Sequence, residues 1–187
     1  QAIDKDIISY SSMIFDRCIT LPDGSSWPSN FEGDDGSGGY IPAWYAVQQS
    51  KNTTAVRMAQ VLGIDTCFNF LTDKLNVTTL DYTNDKAYSP IALGQLTQGM
   101  TLLELAGAYQ IFGSGGMYYT PKLYNLITDY NDNVVIEQEP LGDRVMDSDS
   151  AYITNRLLKA VTDTTNGSGR YAKIDGIEVV GKSGTSD

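Results

Sequence analysis

The segment Gln48-Gln49-Ser50-Lys51-Asn52 lies between two predicted helices. The first helix is predicted to begin at Pro42, because proline suits the first helical position. The second is predicted from Thr53 to Leu62, with Gly63 as its stop. A hydroxyl and a carboxamide two residues apart in such a turn can relay a proton and bind a peptide carbonyl. Serine and asparagine are also ordinary helix caps, so this segment alone leaves both interpretations open.

A second polar segment, Gly181-Lys182-Ser183-Gly184-Thr185, follows a β-branched run at 177–180 that predicts a strand. Such a strand end places an ammonium group, hydroxyls and an open glycine backbone at one edge. The ammonium and hydroxyls can hold a carboxylate, and an exposed strand edge can bind an extended peptide. The two segments together, about 130 residues apart, favour a peptide site more strongly than either segment alone.

Residues 176–183 also match the phosphate-binding pattern Gly-x-x-x-x-Gly-Lys-Ser. A phosphate cradle needs a flexible loop after a strand, followed by a helix. Here the four positions between the glycines are themselves a predicted strand, and Glu178 places negative charge where a phosphate would sit. Gly184 follows at once, so no helix is predicted either. These features disfavour a nucleotide-binding protein.

Composition excludes several classes of protein. The chain has 187 residues, no histidine and a formal net charge of −10. Without histidine there is no Ser-His-Asp or Cys-His nucleophile system, no zinc finger and no His-based catalytic zinc site. The acidic balance disfavours a nucleic-acid partner, which requires a basic surface. Cys18 and Cys67 match no metal spacing, and whether they pair stays open.

The remaining segments predict one α+β domain with a helical lobe at about 1–116 and sheet-lobe elements at about 117–187. The predicted helices come first, followed by strands with one helix between them. The predicted elements are a long polar loop at 22–41, helices at 65–75 and from the capping box Thr101-Leu102-Leu103-Glu104 to Phe112, strands at 123–130 and 134–138, and a helix at about 149–162.

The two polar segments resemble motifs of a known enzyme group. Ser50-x-Asn52 and Lys182-Ser183-Gly184 look like the second and third motifs of the penicillin-recognising serine acyltransferases, whose first motif is Ser-x-x-Lys. The chain as a whole resembles the transpeptidase domain of class A penicillin-binding proteins. This resemblance implies the penicillin-binding protein/serine β-lactamase-like fold, with the helical lobe and part of the antiparallel sheet lobe. The matching stretches are 28–30, 46–57, 93–94, 100–106, 108–109, 115–116, 167–172 and 181–185.

The resemblance implies a function for the parent protein. It would be a peptidoglycan D,D-transpeptidase that cross-links stem peptides ending in D-Ala-D-Ala through a serine acyl-enzyme, and it would bind β-lactam antibiotics. It would need no cofactor or metal. An upstream glycosyltransferase domain and a membrane anchor would place it at the extracytoplasmic face of a bacterial membrane. The implied catalytic residues are Ser50, Asn52 and Lys182, and the implied substrate-binding residues are Ser183, Gly184 and Thr185.

One motif of the family is missing. None of the eight lysines has a serine three positions earlier, so the chain contains no Ser-x-x-Lys. We therefore expect the nucleophile helix to lie upstream of Gln1, and we expect the fragment alone to be inactive. The alternative is a non-catalytic peptide-binding or scaffold module of the same fold.

Overall fold

A computed structural model describes residues 1–139 and 141–184. Along these residues, four short strands precede the first α-helix, five α-helices follow, and four more strands lead to the last α-helix. The strands are β1 Met13–Phe15, β2 Ile19–Thr20, β3 Ser26–Trp27, β4 Tyr40–Pro42, β5 Met117–Tyr119, β6 Leu126–Thr128, β7 Val134–Glu137 and β8 Gly142–Arg144. The helices are α1 Ala43–Gln48, α2 Asn52–Leu62, α3 Ile64–Asn69, α4 Tyr88–Leu93, α5 Leu102–Gly113 and α6 Ser148–Thr162.

The strands form antiparallel pairs rather than one wide sheet. β1 pairs with β4, β2 with β3, β5 with β8, and β6 with β7. The β6–β7 pair confirms the predicted hairpin, although its strands are shorter than predicted. The predicted loop at 22–41 is partly wrong, because it contains β3 and reaches β4. Residues 40–42 become a strand by pairing with β1, a contact that local sequence does not reveal.

Helix α6 connects the two hydrophobic clusters. Its fully buried Ala151 belongs to a cluster with Ile111 of α5 and Tyr118 of β5. Six residues later, Leu157 belongs to a second cluster with Ile14 of β1 and Ala43 of α1. Because one rigid helix contributes to both clusters, its C-terminal end is held in a fixed position beside α1. None of the helices among the described residues is long and apolar enough to cross a membrane.

Several predicted elements differ from the structure. The helix predicted at 65–75 is confirmed as α3 followed by a π-helical turn at Phe70–Lys74. Helix α4 was not predicted. The strand predicted at 177–180 is wrong: a single antiparallel bridge joins Ile174 and Ile177, and no strand lies alongside 178–182 among residues 1–139 and 141–184. A β-branched run needs a hydrogen-bonded neighbour before it forms a strand.

The predicted capping box at the start of α5 is confirmed, and it extends to a second segment. Glu104 accepts hydrogen bonds from the backbone N–H and hydroxyl of Thr101, at 2.9 and 2.8 Å. Its other carboxylate oxygen accepts from the backbone N–H and hydroxyl of Thr78, at 2.6 and 2.9 Å. These four donors, led by the Thr78 N–H, lower the pKa of Glu104 to about 2.

Replacement of this carboxylate should make stability less dependent on pH. The pKa of Glu104 lies below its unfolded value, so its contribution is full above about pH 4.5 and is lost as the pH falls toward 2. Allowing for solvent screening, we expect Glu104→Gln to lower the free energy of unfolding by about 1–2 kcal/mol at pH 7. Urea denaturation at pH 7, 4 and 3 measures the difference from the unaltered chain, which should shrink with decreasing pH.

The matched control is Glu137→Gln on the exposed strand β7. This variant should stay within about 0.5 kcal/mol of the unaltered chain at each pH. A Glu104→Gln deficit that is the same at pH 7 and pH 3 would contradict the assignment.

Candidate active site

Ser50 occupies an unusual backbone position at the end of α1. Its φ is +54°, in the left-handed region that side chains other than glycine and asparagine seldom adopt. The Ser50 N–H donates to Val47 O at 3.2 Å, and the Lys51 N–H donates to Ala46 O at 3.0 Å. These two bonds form a Schellman motif, in which glycine normally occupies the left-handed position. A serine in this position carries backbone strain that a glycine would avoid, and such strain is typical of functional sites.

The Ser50 hydroxyl is in contact with a lysine from a distant part of the chain. Lys182 Nζ donates to Ser50 Oγ at 2.7 Å, across 132 residues of sequence. The same ammonium donates to Ser183 O at 3.0 Å. Ser50 therefore does not serve as a side-chain cap of α2, whose N-cap is Lys51 and has no side-chain cap bond. The helix-capping interpretation therefore does not describe Ser50.

The environment of Lys182 changes its acidity. Its side chain is partly buried, and this desolvation lowers the pKa of the ammonium group from its ordinary value. The site therefore places one partly desolvated amino group against a hydroxyl and a backbone carbonyl.

A turn that follows α6 completes this cluster. Ser168 Oγ lies 2.7 Å from Ser183 Oγ, and either hydroxyl can donate. The turn is packed tightly, since a Cβ at Gly167 would lie 2.1 Å from Val161 O. Only glycine fits that position. Ser168 is not among the residues predicted from sequence, although it lies in the stretch 167–172 that resembles the family.

Residues of α1 hold the turn in place. The buried Gln48 donates through Nε2 to Ala160 O at 3.2 Å and to Thr164 Oγ1 at 2.8 Å. Gln49 donates to Asn166 O at 3.1 Å. The two glutamines before Ser50 thus fix the end of α6 and the turn that carries Ser168.

Asn52, the other predicted residue of the Ser50-x-Asn52 motif, is oriented by a different neighbour. Asn52 Nδ2 donates to Ser29 O at 2.9 Å. This bond uses one amide hydrogen and leaves the side-chain carbonyl for other partners. Lys51, between the two motif residues, forms ion pairs with Glu32 at 3.3 Å and Asp34 at 3.9 Å.

These residues line an open cleft of about 1080 Å³. Lys182, Ser183 and Gly184 are among its lining residues, and a Cβ at Gly184 would meet no atom within 4 Å, so the backbone there is accessible. Apolar side chains from the second hydrophobic cluster also line the cleft. Residues 92–95, at the C-terminal end of α4 and just after it, contribute further lining. The cleft is large enough for a short peptide.

The structure thus brings together five of the six residues predicted from sequence. Ser50, Asn52, Lys182, Ser183 and Gly184 all line the cleft. Thr185 lies outside the described residues. The peptide-binding strand edge predicted at 177–180 is not formed, so Lys182 is placed instead by a chain segment that crosses the end of α6, where Thr162 Oγ1 donates to Val179 O at 2.6 Å. Among residues 1–139 and 141–184, no cluster of Cys, Asp or Glu is arranged to hold a metal ion.

Curated relatives with similar sequences are penicillin-binding proteins. Penicillin-binding protein 1A of Clostridium novyi is 32% identical over 165 residues, which cover 87% of this chain and 19% of that protein. Penicillin-binding protein 1A of Clostridium acetobutylicum is 31% identical over 191 residues, covering 99% of this chain and 23% of that protein. The chain therefore spans about a fifth of the length of these relatives.

Solved structures agree on the fold. The D,D-transpeptidase domain of a peptidoglycan glycosyltransferase from Eggerthella lenta matches with a TM-score of 0.76 at 18% identity, covering 100% of this chain and 51% of that one. A peptidoglycan glycosyltransferase from Burkholderia ambifaria matches with a TM-score of 0.74 at 20% identity, covering 99% and 59%. The sequence profile of the penicillin binding protein transpeptidase domain matches residues 1–187. The chain belongs to the penicillin-binding protein transpeptidase domain family, with its mixed helix-and-strand fold.

Proposed function

We propose that this chain supplies the substrate-binding half of a serine-type D-Ala-D-Ala transpeptidase site. The observation that carries the proposal is the 2.7 Å bond from Lys182 Nζ to Ser50 Oγ inside the cleft. It joins the two sequence motifs that resemble those of the family. The substrates would be peptidoglycan stem peptides, and β-lactams would bind in the same cleft. The nucleophilic serine and its lysine would come from a segment other than these 187 residues.

The direction of the Lys182–Ser50 bond supports a proton-relay role for Ser50. Because the ammonium donates, the Ser50 oxygen is the acceptor and its own O–H must point elsewhere. An O–H directed into the cleft can pass its proton to the nitrogen of a departing D-alanine while the Ser50 oxygen takes a proton from Lys182 Nζ. When an amine from a second stem peptide attacks the acyl-enzyme, the protons move the other way: the Ser50 oxygen takes the proton that the amine loses and returns its own to Lys182 Nζ. Such relays do not need histidine.

The other cleft residues suit recognition of the donor peptide. Lys182 sets a positive potential, and Ser183 with Ser168 presents two hydroxyls beside it. This set can hold the terminal carboxylate of an acyl-D-Ala-D-Ala peptide through charge-assisted bonds. Asn52 would bind an amide carbonyl of the peptide. Gly184 leaves space for the peptide backbone, and Thr185, by the family resemblance, would add a hydroxyl and an oxyanion donor.

The parent protein would act outside the cytoplasmic membrane, where peptidoglycan is assembled. A glycosyltransferase domain and a membrane anchor in the same polypeptide are part of this proposal, supported by the penicillin-binding protein 1A relatives, which are several times longer than this chain. A non-catalytic scaffold of the same fold is the alternative, and a parent gene without Ser-x-x-Lys upstream of Gln1 would favour it.

The carboxylate preference of the cleft can be measured with this chain. We expect an acyl-D-Ala-D-Ala peptide to bind about 10-fold more tightly than its C-terminal amide, since one charge-assisted interaction is worth about 1.4 kcal/mol. Lys182→Met should abolish the preference. An NMR titration of both peptides measures it. The control Lys173→Met removes a cation that pairs with Asp163 outside the cleft and should leave the preference intact. Equal binding of acid and amide would contradict the proposal.

The position of the nucleophile is tested with a fluorescent penicillin. We expect this chain to show no covalent label after denaturing electrophoresis, because its 187 residues contain no Ser-x-x-Lys. A stable label would show that a residue of this chain is acylated and would overturn the assignment of the nucleophile to another segment.

A further inference from the structure

Helix α2 carries the second half of the Ser50-x-Asn52 motif, but its own residues do not cap it. The N-cap is Lys51, which makes no side-chain cap bond. The Thr53 N–H instead donates to Asn30 Oδ1 at 3.3 Å, and Asn30 is 3% exposed. The free N–H groups of a helix start need an acceptor, and here a residue 23 positions upstream supplies it.

A buried carboxylate reinforces this remote cap. Asp16 is 1% exposed and has no part in the proposed chemistry. Its Oδ1 accepts from the Thr53 hydroxyl at 2.6 Å, and its Oδ2 accepts from the Ser37 N–H at 2.9 Å. Burial opposes ionisation, but the hydrogen bonds from Thr53 and Ser37 outweigh it and lower the pKa of Asp16. A negative group at this point also favours the N-terminus of α2.

The segment between these contacts, residues 29–37, is called the strap here. Each end is fixed. Asn30 Nδ2 donates to Asp34 Oδ1 at 2.8 Å, which closes the first half of the strap. At the other end Gly36 has a φ of +94° and lies so close to Asp16 that a Cβ would be 2.5 Å from Asp16 O. Both ends of the strap are therefore held by hydrogen bonds or close backbone packing.

Three consecutive residues at the start of α2 are bound by the strap. Asn52 Nδ2 donates to Ser29 O, Lys51 pairs with Glu32, and the Thr53 N–H donates to Asn30. These contacts hold the first turn of α2 against the strap, immediately after the Schellman motif at Ser50. A Ser50 free to relax would leave the left-handed region, because that conformation is unfavourable in residues other than glycine.

We propose that Asp16 and Asn30 are positioning residues for the Ser50-x-Asn52 motif, acting through Thr53 and the strap. They hold the Asn52 side chain against Ser29 O and keep Ser50 in the conformation that meets Lys182. The inference rests on the proposed function only in treating Ser50 and Asn52 as substrate contacts. The positioning itself concerns the geometry of the unliganded chain.

The test replaces Thr53 with valine, an isosteric change that removes the hydroxyl that donates to Asp16. In Thr53→Val we expect the Asn52 side-chain amide NMR signals to move toward their unstructured positions. The Ser50 Cα and Cβ shifts should lose their left-handed signature. Thr53→Ser restores the hydroxyl and should restore both signals, which a loss of packing alone would not do.

A matched control exists at a second buried carboxylate, whose residues do not line the cleft. Asp85 is also buried, and it accepts from the Thr97 hydroxyl at 2.7 Å. Thr97→Val should lower the melting temperature but leave the Asn52 and Ser50 signals in place. Should Thr53→Val fail to fold, Asp34→Ala opens the exposed half of the strap, and it should move the same signals.

Unchanged Asn52 and Ser50 signals in a folded Thr53→Val or Asp34→Ala variant would overturn the proposal, as would an equal change in Thr97→Val. Because these signals are read without ligand, the result is independent of the peptide titration. Equal binding of the peptide acid and amide would contradict the proposed function, but it would not affect the positioning inference.

Discussion

The hydrogen bond from the Lys182 ammonium to the Ser50 hydroxyl joins two short polar segments that are 132 residues apart. Neither segment makes a site alone. Ser50 lies in a strained turn between two helices, and Lys182 lies in a segment without regular structure. The rest of the described fold can be understood as the means of bringing these two groups within bonding distance and holding them there.

Two parts of the structure do this from opposite sides. On one side α6 runs through both hydrophobic clusters, and Gln48 and Gln49 bind its end and the following turn. On the other side the strap and Asp16 hold the first turn of α2. The residues before Ser50 therefore fix the Lys182 side of the cleft, and the residues after it are fixed by the strap. Such satisfied polar networks make a site rigid before substrate arrives.

The parts of the fold that depend on local sequence could be predicted. The capping box at Thr101, the helix ending at Gly63 and the β6–β7 hairpin each rest on residues within a few positions of one another. The motif residues were identified by resemblance, and the structure places Ser50 and Lys182 together. Parts that depend on distant partners could not be predicted. Asp16 and Asn30 look like ordinary loop residues until Thr53 is seen against them. Within residues 1–139 and 141–184, the β-branched run at 177–180 forms only the bridge from Ile177 to Ile174 and no strand.

The most direct measurement is a double-mutant cycle on the unfolding free energy, using Ser50→Ala, Lys182→Met and the combination. The cycle cancels the desolvation of Lys182 and the strain at Ser50, so it isolates their interaction. The account predicts a favourable coupling of about 1–2 kcal/mol, as expected for a hydrogen bond with a charged donor. A coupling within about 0.3 kcal/mol of zero would mean that the two motifs do not meet in solution, and it would contradict the account.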